Sequence, residues 1–316
     1  MSQANWADRL LLAVERVGNP CLVGLDPHLA LMPAAFAAAH DAQASRSEVA
    51  SAVGDFLCQV VEVIAGRVAV VKPQAAFFET LGPAGAQQWE RVVSTAHDAG
   101  LLVIGDLKRG DIGSTAAAYA EAFLTGGPGS PAGSTCDAMT VNPYLGGDSL
   151  APFIKACAAT GRGLYVLVRT SNPGCVDFQD HGSPPLCELV AASVEKWGAP
   201  LVGEGGLSSV GAVVGATHPA ELARLRELMP HTPFLLPGYG AQGGGAADVV
   251  PGFLGGLRGA VVNSSRGILY PSSKGAGNAV DAGSARGADS ADWKTATSRA
   301  LDAMIADIGA ALILRA

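Results

Sequence analysis

Four charged side chains, held in two short segments, have the types and spacing to do chemistry. Asp106, Lys108 and Asp111 fall in IGDLKRGDIGSTAAAYA (104–120) with a D-x-K-x-x-D spacing, and Lys72 sits near the end of the apolar run VAVVKP (68–73). Side chains alternate along a strand, so Asp106 and Lys108 are expected to share a direction at a strand end, with Asp111 opening a helix over 112–122. Taken alone, Asp111 reads as a helix cap and the rest as a salt bridge, worth ~0–1 kcal/mol if exposed. Lys72 shifts that balance. A lysine directly after Val70 and Val71 is neither a turn former nor readily buried, so it needs a partner or a ligand. Two lysines and two carboxylates gathered at one place are costly to bury and are more often catalytic than structural. The chemistry open to them is proton transfer by a fixed ammonium and stabilisation of developing negative charge.

The elements that must position these residues recur along the chain. Eight short apolar, β-branched runs stand at 21–27, 68–73, 101–108, 138–144, 164–171, 210–217, 233–240 and 259–267, each followed by a Gly, Pro or Asp break and then by helical spacing. Continuous apolar strands alternating with helices indicate a parallel sheet covered on its outside. Eight such units match an α/β fold of the (β/α)8 TIM barrel type better than an open doubly wound sheet, since no GxGxxG follows the first strand. Asp26, Lys72, Asp106, Lys108, Asn142, Arg169, Ser171 and Arg266 all lie at or just past a strand's C-terminal end, and in a barrel those ends converge on one mouth.

Composition sets the limits. The 316 residues are 49% hydrophobic and 16% charged, which describes one well-buried unit or at most two, and one barrel domain over 1–316 is expected. A net charge of −7 argues against a nucleic-acid or membrane surface as main partner, so an anionic substrate must meet a local positive cluster. No run approaches the ~18 apolar residues of a bilayer span. Residues 3–17 read as an amphipathic docking helix rather than a signal peptide, and a cytoplasmic protein is expected. The six cysteines form no CxxC pair and read as buried thiols, while the six histidines, with no i, i+4 pair, read as surface or loop residues. Glycine is abundant, 41 residues, and part of it lies in two expected mobile loops at 125–135 and 272–292.

In order along the chain, GLDP (24–27), VVKPQAAFFE (70–79), DLKRGDIGST (106–115), TVNPYLGGD (140–148), RTSNPG (169–174), PGYGAQGG (237–244) and NSSRG (263–267) are each found at a strand end. Together they resemble the orotidine 5′-monophosphate decarboxylase family, in the bacterial branch that carries DxKRGDIGxT. The resemblance implies conversion of orotidine 5′-monophosphate to uridine 5′-monophosphate, without metal or cofactor, by an alternating network of Lys72, Asp106, Lys108 and Asp111. It also implies a homodimer in which Asp111 and Thr115 reach the partner's site. Loss of CO2 from C6 leaves a carbanion, which Lys108 can stabilise and protonate. Asp26 is implied at the ribose and Ser171 at the pyrimidine edge. The phosphate falls to PGYGAQGGG (237–245) with the Gln242 amide and the Arg266 guanidinium, on the loops after strands seven and eight where barrels of this kind bind phosphate. Ser265 stands where other branches have Gly.

Three rivals remain. Magnesium-dependent keto-sugar phosphate decarboxylases and synthases of the same superfamily use a DxKxxD strand too, but hold Mg²⁺ with help from a carboxylate on the second strand, where this chain has Lys72. A nucleotide-binding barrel without catalysis would not need all four charged residues. A Schiff-base aldolase needs a lysine of lowered pKa, and neighbouring carboxylates raise it.

Overall fold

The computed structural model describes residues 5–216, 219–240, 244–271 and 292–314. Eight parallel strands close into a barrel in chain order: β1 (Cys21–Leu25), β2 (Val70–Pro73), β3 (Leu102–Arg109), β4 (Ala138–Val141), β5 (Gly163–Arg169), β6 (Val210–Val214), β7 (Phe234–Leu236) and β8 (Ala260–Ser264), with β8 paired back onto β1. Every apolar run read from the sequence is therefore a strand. The strands stop short where Asp26 and Asn142 each precede a proline, which lacks an N–H and restricts the residue before it. The helix α1 (Trp6–Val17) precedes the barrel. It is followed by α2 (Arg46–Ile64), α3 (Ala75–Glu79), α4 (Gly82–Asp98), α5 (Gly113–Ala120), α6 (Gly147–Thr160), α7 (Leu186–Gly198), α8 (Pro219–Leu228), α9 (Ala246–Val249), α10 (Arg266–Leu269) and α11 (Trp293–Ile313).

The period of two along each strand sets the interior. Leu22, Val70, Ile104, Ala138, Tyr165, Val213, Leu235 and Val261, one from each strand, form a buried plug. Two residues further on, toward the C-terminal mouth, stand Gly24, Lys72, Asp106, Thr140, Leu167, Gly215, Pro237 and Asn263. The polar members of that layer are thus lifted onto a sealed apolar floor. From the opposite end α1 closes the barrel: Asn5 accepts a capping bond from the Ala7 amide, and Trp6, Leu10, Ala13 and Val14 join the plug. Trp6 meets Tyr165 edge-on at 6.2 Å between ring centroids. All six cysteines are free and buried. Among the described residues no helix is long and apolar enough to cross a membrane. The 272–292 segment lies, except for Asp292, outside the described residues.

One polar hub ties this closed end together. Asp137, 3% exposed, opens β4; its Oδ1 accepts from Arg9 of α1 (2.8 Å) and from Arg162 before β5 (2.7 Å). Its Oδ2 accepts from the Val103 amide (2.9 Å) and lies 2.9 Å from His97 Nε2, while His97 Nδ1 lies 2.9 Å from the Gly133 carbonyl. His97 is therefore no simple surface residue: it joins α4 to the 125–135 segment. Both ring nitrogens face acceptors, so the ring satisfies both only as the imidazolium. Burial opposes its charge, but the Asp137 carboxylate and the Gly133 carbonyl outweigh burial and the nearby Arg162, raising its pKa above 6.5. Burial likewise pushes the Asp137 carboxyl up, and His97 and Arg9 overcome it and hold the group ionised.

Replacing Asp137 by Asn is expected to destabilise the fold by about 3 kcal/mol, because two guanidinium groups lose their anion. Thermal melting checks this, as roughly 4–5 °C in Tm for a chain of this length. A raised folded pKa makes the His97 contribution full below 6.5 and lost as pH rises through the folded value. The Tm gap between the protein and His97→Gln should accordingly be wide near about pH 6 and narrow by about pH 9. A gap that stays constant over that range contradicts the imidazolium bridge.

Candidate active site

At the mouth the structure brings three of the four charged residues together. Lys72 Nζ donates to Asp106 Oδ2 at 2.5 Å and Lys108 Nζ to Asp106 Oδ1 at 2.5 Å, so one carboxylate is shared by two ammonium groups. Lys72 and Asp106 are 5% and 6% exposed, whereas the Lys108 side chain is 46% exposed and forms the open end of the row. Burial raises the Asp106 carboxyl, yet the charges of Lys72 and Lys108 outweigh it and hold the group well below the usual carboxylate range. Burial likewise opposes the charge on Lys72, and Asp106 and then Asp26 overcome it, keeping its pKa above the ordinary lysine value.

Lys108 does not reach Asp106 by simple alternation. Its φ is +48°, in the left-handed region that side-chain-bearing residues seldom occupy, and the register of β3 against β4 shifts between Gly105 and Arg109. This bulge turns the lysine back over its own strand. The Thr140 hydroxyl holds it there: Oγ1 accepts from the Leu107 and Lys108 amides, each at 2.9 Å, and donates to Asp106 Oδ1 at 3.0 Å. Thr140 is 1% exposed and was not singled out from the sequence. The signal that could have found it is its place two residues past Ala138, in the layer that carries Lys72 and Asp106. Arg109, next to the bulge, pairs with Glu79 and lies over the Tyr119 and Phe123 rings, 5.5 and 5.9 Å from their centroids.

Asp111 stands apart from the row. No ion pair joins it to either lysine among the described residues, and its Oδ1 accepts from the Ile112 amide at 2.8 Å. It is not the first residue of a helix over 112–122 either. Gly113, φ +54°, makes the turn, and α5 runs only to Ala120 before a π turn over Glu121–Thr125. Thr115 is exposed on α5, and Ile112, Tyr144 and Leu145 beside this segment are 58%, 81% and 49% exposed.

The other expected residues surround the row. Asp26 follows β1, and its Oδ1 is buried without a hydrogen-bond partner. Ser171, half-buried after β5, packs against Gly215, where a Cβ would stand 3.2 Å from it. Arg266 opens α10 beside His28, whose protonation is opposed first by burial and then by the Arg266 charge, against the pull of Asp26. Gln242 lies outside the described residues. Around it, the Gly240 amide donates to the Gly244 carbonyl (2.8 Å), and the Tyr239 hydroxyl donates to Asp307 Oδ2 of α11 (2.7 Å). Ser265 Oγ occupies the space over Gly24, where a Cβ would come within 1.9 Å of it. Among the described residues no group of three or more His, Cys, Asp or Glu is arranged to hold a metal ion.

A parallel eight-stranded barrel that keeps ionised groups on the C-terminal side of its plug belongs to the barrel enzymes, whose chemistry is done at that face. Within that class the comparisons are specific. Residues 21–278 match the model of the orotidine 5′-phosphate decarboxylase / HUMPS family, and the chain belongs to this family. It is 46% identical to the orotidine 5′-phosphate decarboxylase of Rhodopirellula baltica over 269 residues, covering 84% of this chain and 88% of that one. To the Deinococcus radiodurans orotidine 5′-phosphate decarboxylase it is 46% identical over 228 residues, 72% of this chain and 78% of that protein. The solved structure of Leishmania donovani OMP decarboxylase superposes with a TM-score of 0.71 at 30% identity, covering 98% of this chain and 99% of that one.

Thr140→Val keeps the shape but removes one donor and one acceptor. It should lower kcat by about tenfold through a looser Lys108, and lower stability by ~1–3 kcal/mol through amides left unpaired. Steady-state kinetics and thermal melting check both, and Thr140→Ser should restore both.

Proposed function

We propose that this protein decarboxylates orotidine 5′-monophosphate to uridine 5′-monophosphate. Membership of the family and the relatives at 46% identity support the reaction. The observation that carries the mechanism is the Lys72–Asp106–Lys108 row, with its buried anion and its single open ammonium. The bond from C6 to the carboxylate carbon breaks, CO2 leaves, and the electron pair stays on C6. Lys108 Nζ stabilises that pair and then gives C6 its proton, and solvent returns a proton to the amine. Asp106, held ionised by its two lysines, repels the substrate carboxylate, and this repulsion is relieved as CO2 departs. Lys72 fixes Asp106 and, with Asp26, binds ribose hydroxyls. Ser171 takes the pyrimidine edge, while Arg266, Gln242 and the glycine amides of the loop after β7 take the phosphate.

The fourth charge is supplied by a second copy of the chain. Asp111 lies outside the row of its own subunit, on a segment carrying exposed Ile112, Tyr144 and Leu145, and this supports a homodimer in which Asp111 and Thr115 serve the partner's site. The magnesium-dependent reaction of the superfamily is disfavoured by Lys72: a cation paired to Asp106 stands where that chemistry requires a further carboxylate.

Purified protein should convert orotidine 5′-monophosphate with the expected absorbance decrease, and exhaustive EDTA should leave the rate unchanged. Loss of activity that Mg²⁺ restores would favour the metal-dependent rival. Lys108→Ala should lower kcat by about 10²–10⁴-fold while inhibition by inorganic phosphate persists. Mixing inactive Lys108→Ala with inactive Asp111→Ala should recover about a quarter of the native activity. Half of the reassorted dimers are mixed, and each then holds one intact site of two. No recovery on mixing would exclude a shared site.

A further inference from the structure

The layer that supplies Lys72, Asp106 and Thr140 has one more polar member, Asn263 of β8. It lies two residues past Val261 of the plug, on the same face of its strand, and its Oδ1 stands beside Gly24 of β1, a member of the layer that carries the charged row. Its Oδ1 is buried and has no hydrogen-bond partner. A buried acceptor left unpaired is destabilising by ~1–3 kcal/mol, and such groups need a physical account. On the neighbouring strand end the Asp26 Oδ1 is orphaned in the same way. Gly24 of β1 gives room to two side chains of this strand end: a Cβ there would stand 2.9 Å from Asn263 Oδ1 and 1.9 Å from Ser265 Oγ.

Position selects the ligand group. The reacting centre sits on β2 and β3, and barrels of this kind bind phosphate at the loops after strands seven and eight. Asn263, on β8, and Asp26, just past the end of β1, lie between those two ends. The part of a nucleotide that joins base to phosphate is the ribose, and its hydrogen-bond donors are its hydroxyl groups. An orphaned amide oxygen and an orphaned carboxylate oxygen on adjacent strands are two acceptors for such donors. We propose that Asn263 is a substrate-binding residue that accepts a hydrogen bond from a ribose hydroxyl, completing with Asp26 a two-acceptor clamp. This inference rests on the nucleotide reading of the site and adds to it a residue that recognises the sugar.

The test compares orotidine 5′-monophosphate with its 2′-deoxy and 3′-deoxy analogues, using the full chain and two variants, Asn263→Leu and Asn263→Ala. In the unaltered protein, removing the contacted hydroxyl should lower kcat/KM by about tenfold or more. In both variants kcat/KM for the ribonucleotide should fall by a similar factor, and the further penalty for that deoxy analogue should shrink to about twofold or less. The ratio between substrates is internal to each preparation, so a variant that folds poorly still reports it. Inhibition by inorganic phosphate should stay within about twofold of the unaltered protein, because the phosphate loops are untouched. If both variants keep the full penalty for both analogues, Asn263 does not touch the ribose and the proposal falls. A protein that binds phosphate but never turns over the ribonucleotide would instead overturn the functional reading itself.

Discussion

The arrangement of the mouth depends on one buried anion. Asp106 loses most of its hydration at the barrel floor, a penalty of several kcal/mol for an ion moved out of water, and it stays ionised only because two ammonium groups share it at 2.5 Å each. Each partner is in turn constrained by that need. Lys72 is almost fully buried with its charge intact, held by Asp106 and Asp26, and Lys108 adopts a backbone conformation rare for its residue type. A free lysine would relax from that conformation, which is destabilising by ~1–3 kcal/mol unless its surroundings over-determine it. Here the Thr140 hydroxyl and the carboxylate do so together, leaving one ammonium face open toward the mouth.

The row can be polar because the layer beneath it is not. Eight side chains, one from each strand, seal the barrel under the charged layer, and α1 seals it again from the far end. Water cannot reach Asp106 from below, so the electrostatic interactions above the plug act in a low dielectric, where they are stronger. The Asp137 hub with Arg9, Arg162 and His97 does at the closed end what Asp106 does at the open one. It gathers cations from separate elements around one buried carboxylate, and there the result is cohesion rather than chemistry.

The strands were legible because buried parallel strands are written as continuous β-branched runs, and the lysines because an ammonium after two valines has no innocent explanation. Alternation predicted that Asp106 and Lys108 would meet, and they do, but through a bulge that alternation does not contain. The same bulge and the left-handed Gly113 shift the start of α5, which is why Asp111 is neither a cap nor a member of the Lys72–Asp106–Lys108 row. The roles of Thr140, Asn263 and His97 are not legible in the sequence, for a shared reason. Threonine, asparagine and histidine are ordinary in loops and strand ends, and each acquires a role here only from partners 30 or more positions away, or from the strand beside it.

The amino-acid sequence by itself therefore determined the α/β order, the eight strands and the identity of the central charges, since these follow from local periodicity and from the difficulty of burying a lysine. Which charges touch, which oxygens are left without a donor, and which backbone is bent to bring Lys108 over Asp106 were decided by barrel closure. Those contacts join strands far apart in the chain, and their geometry is set by register and packing between neighbours that no local pattern encodes.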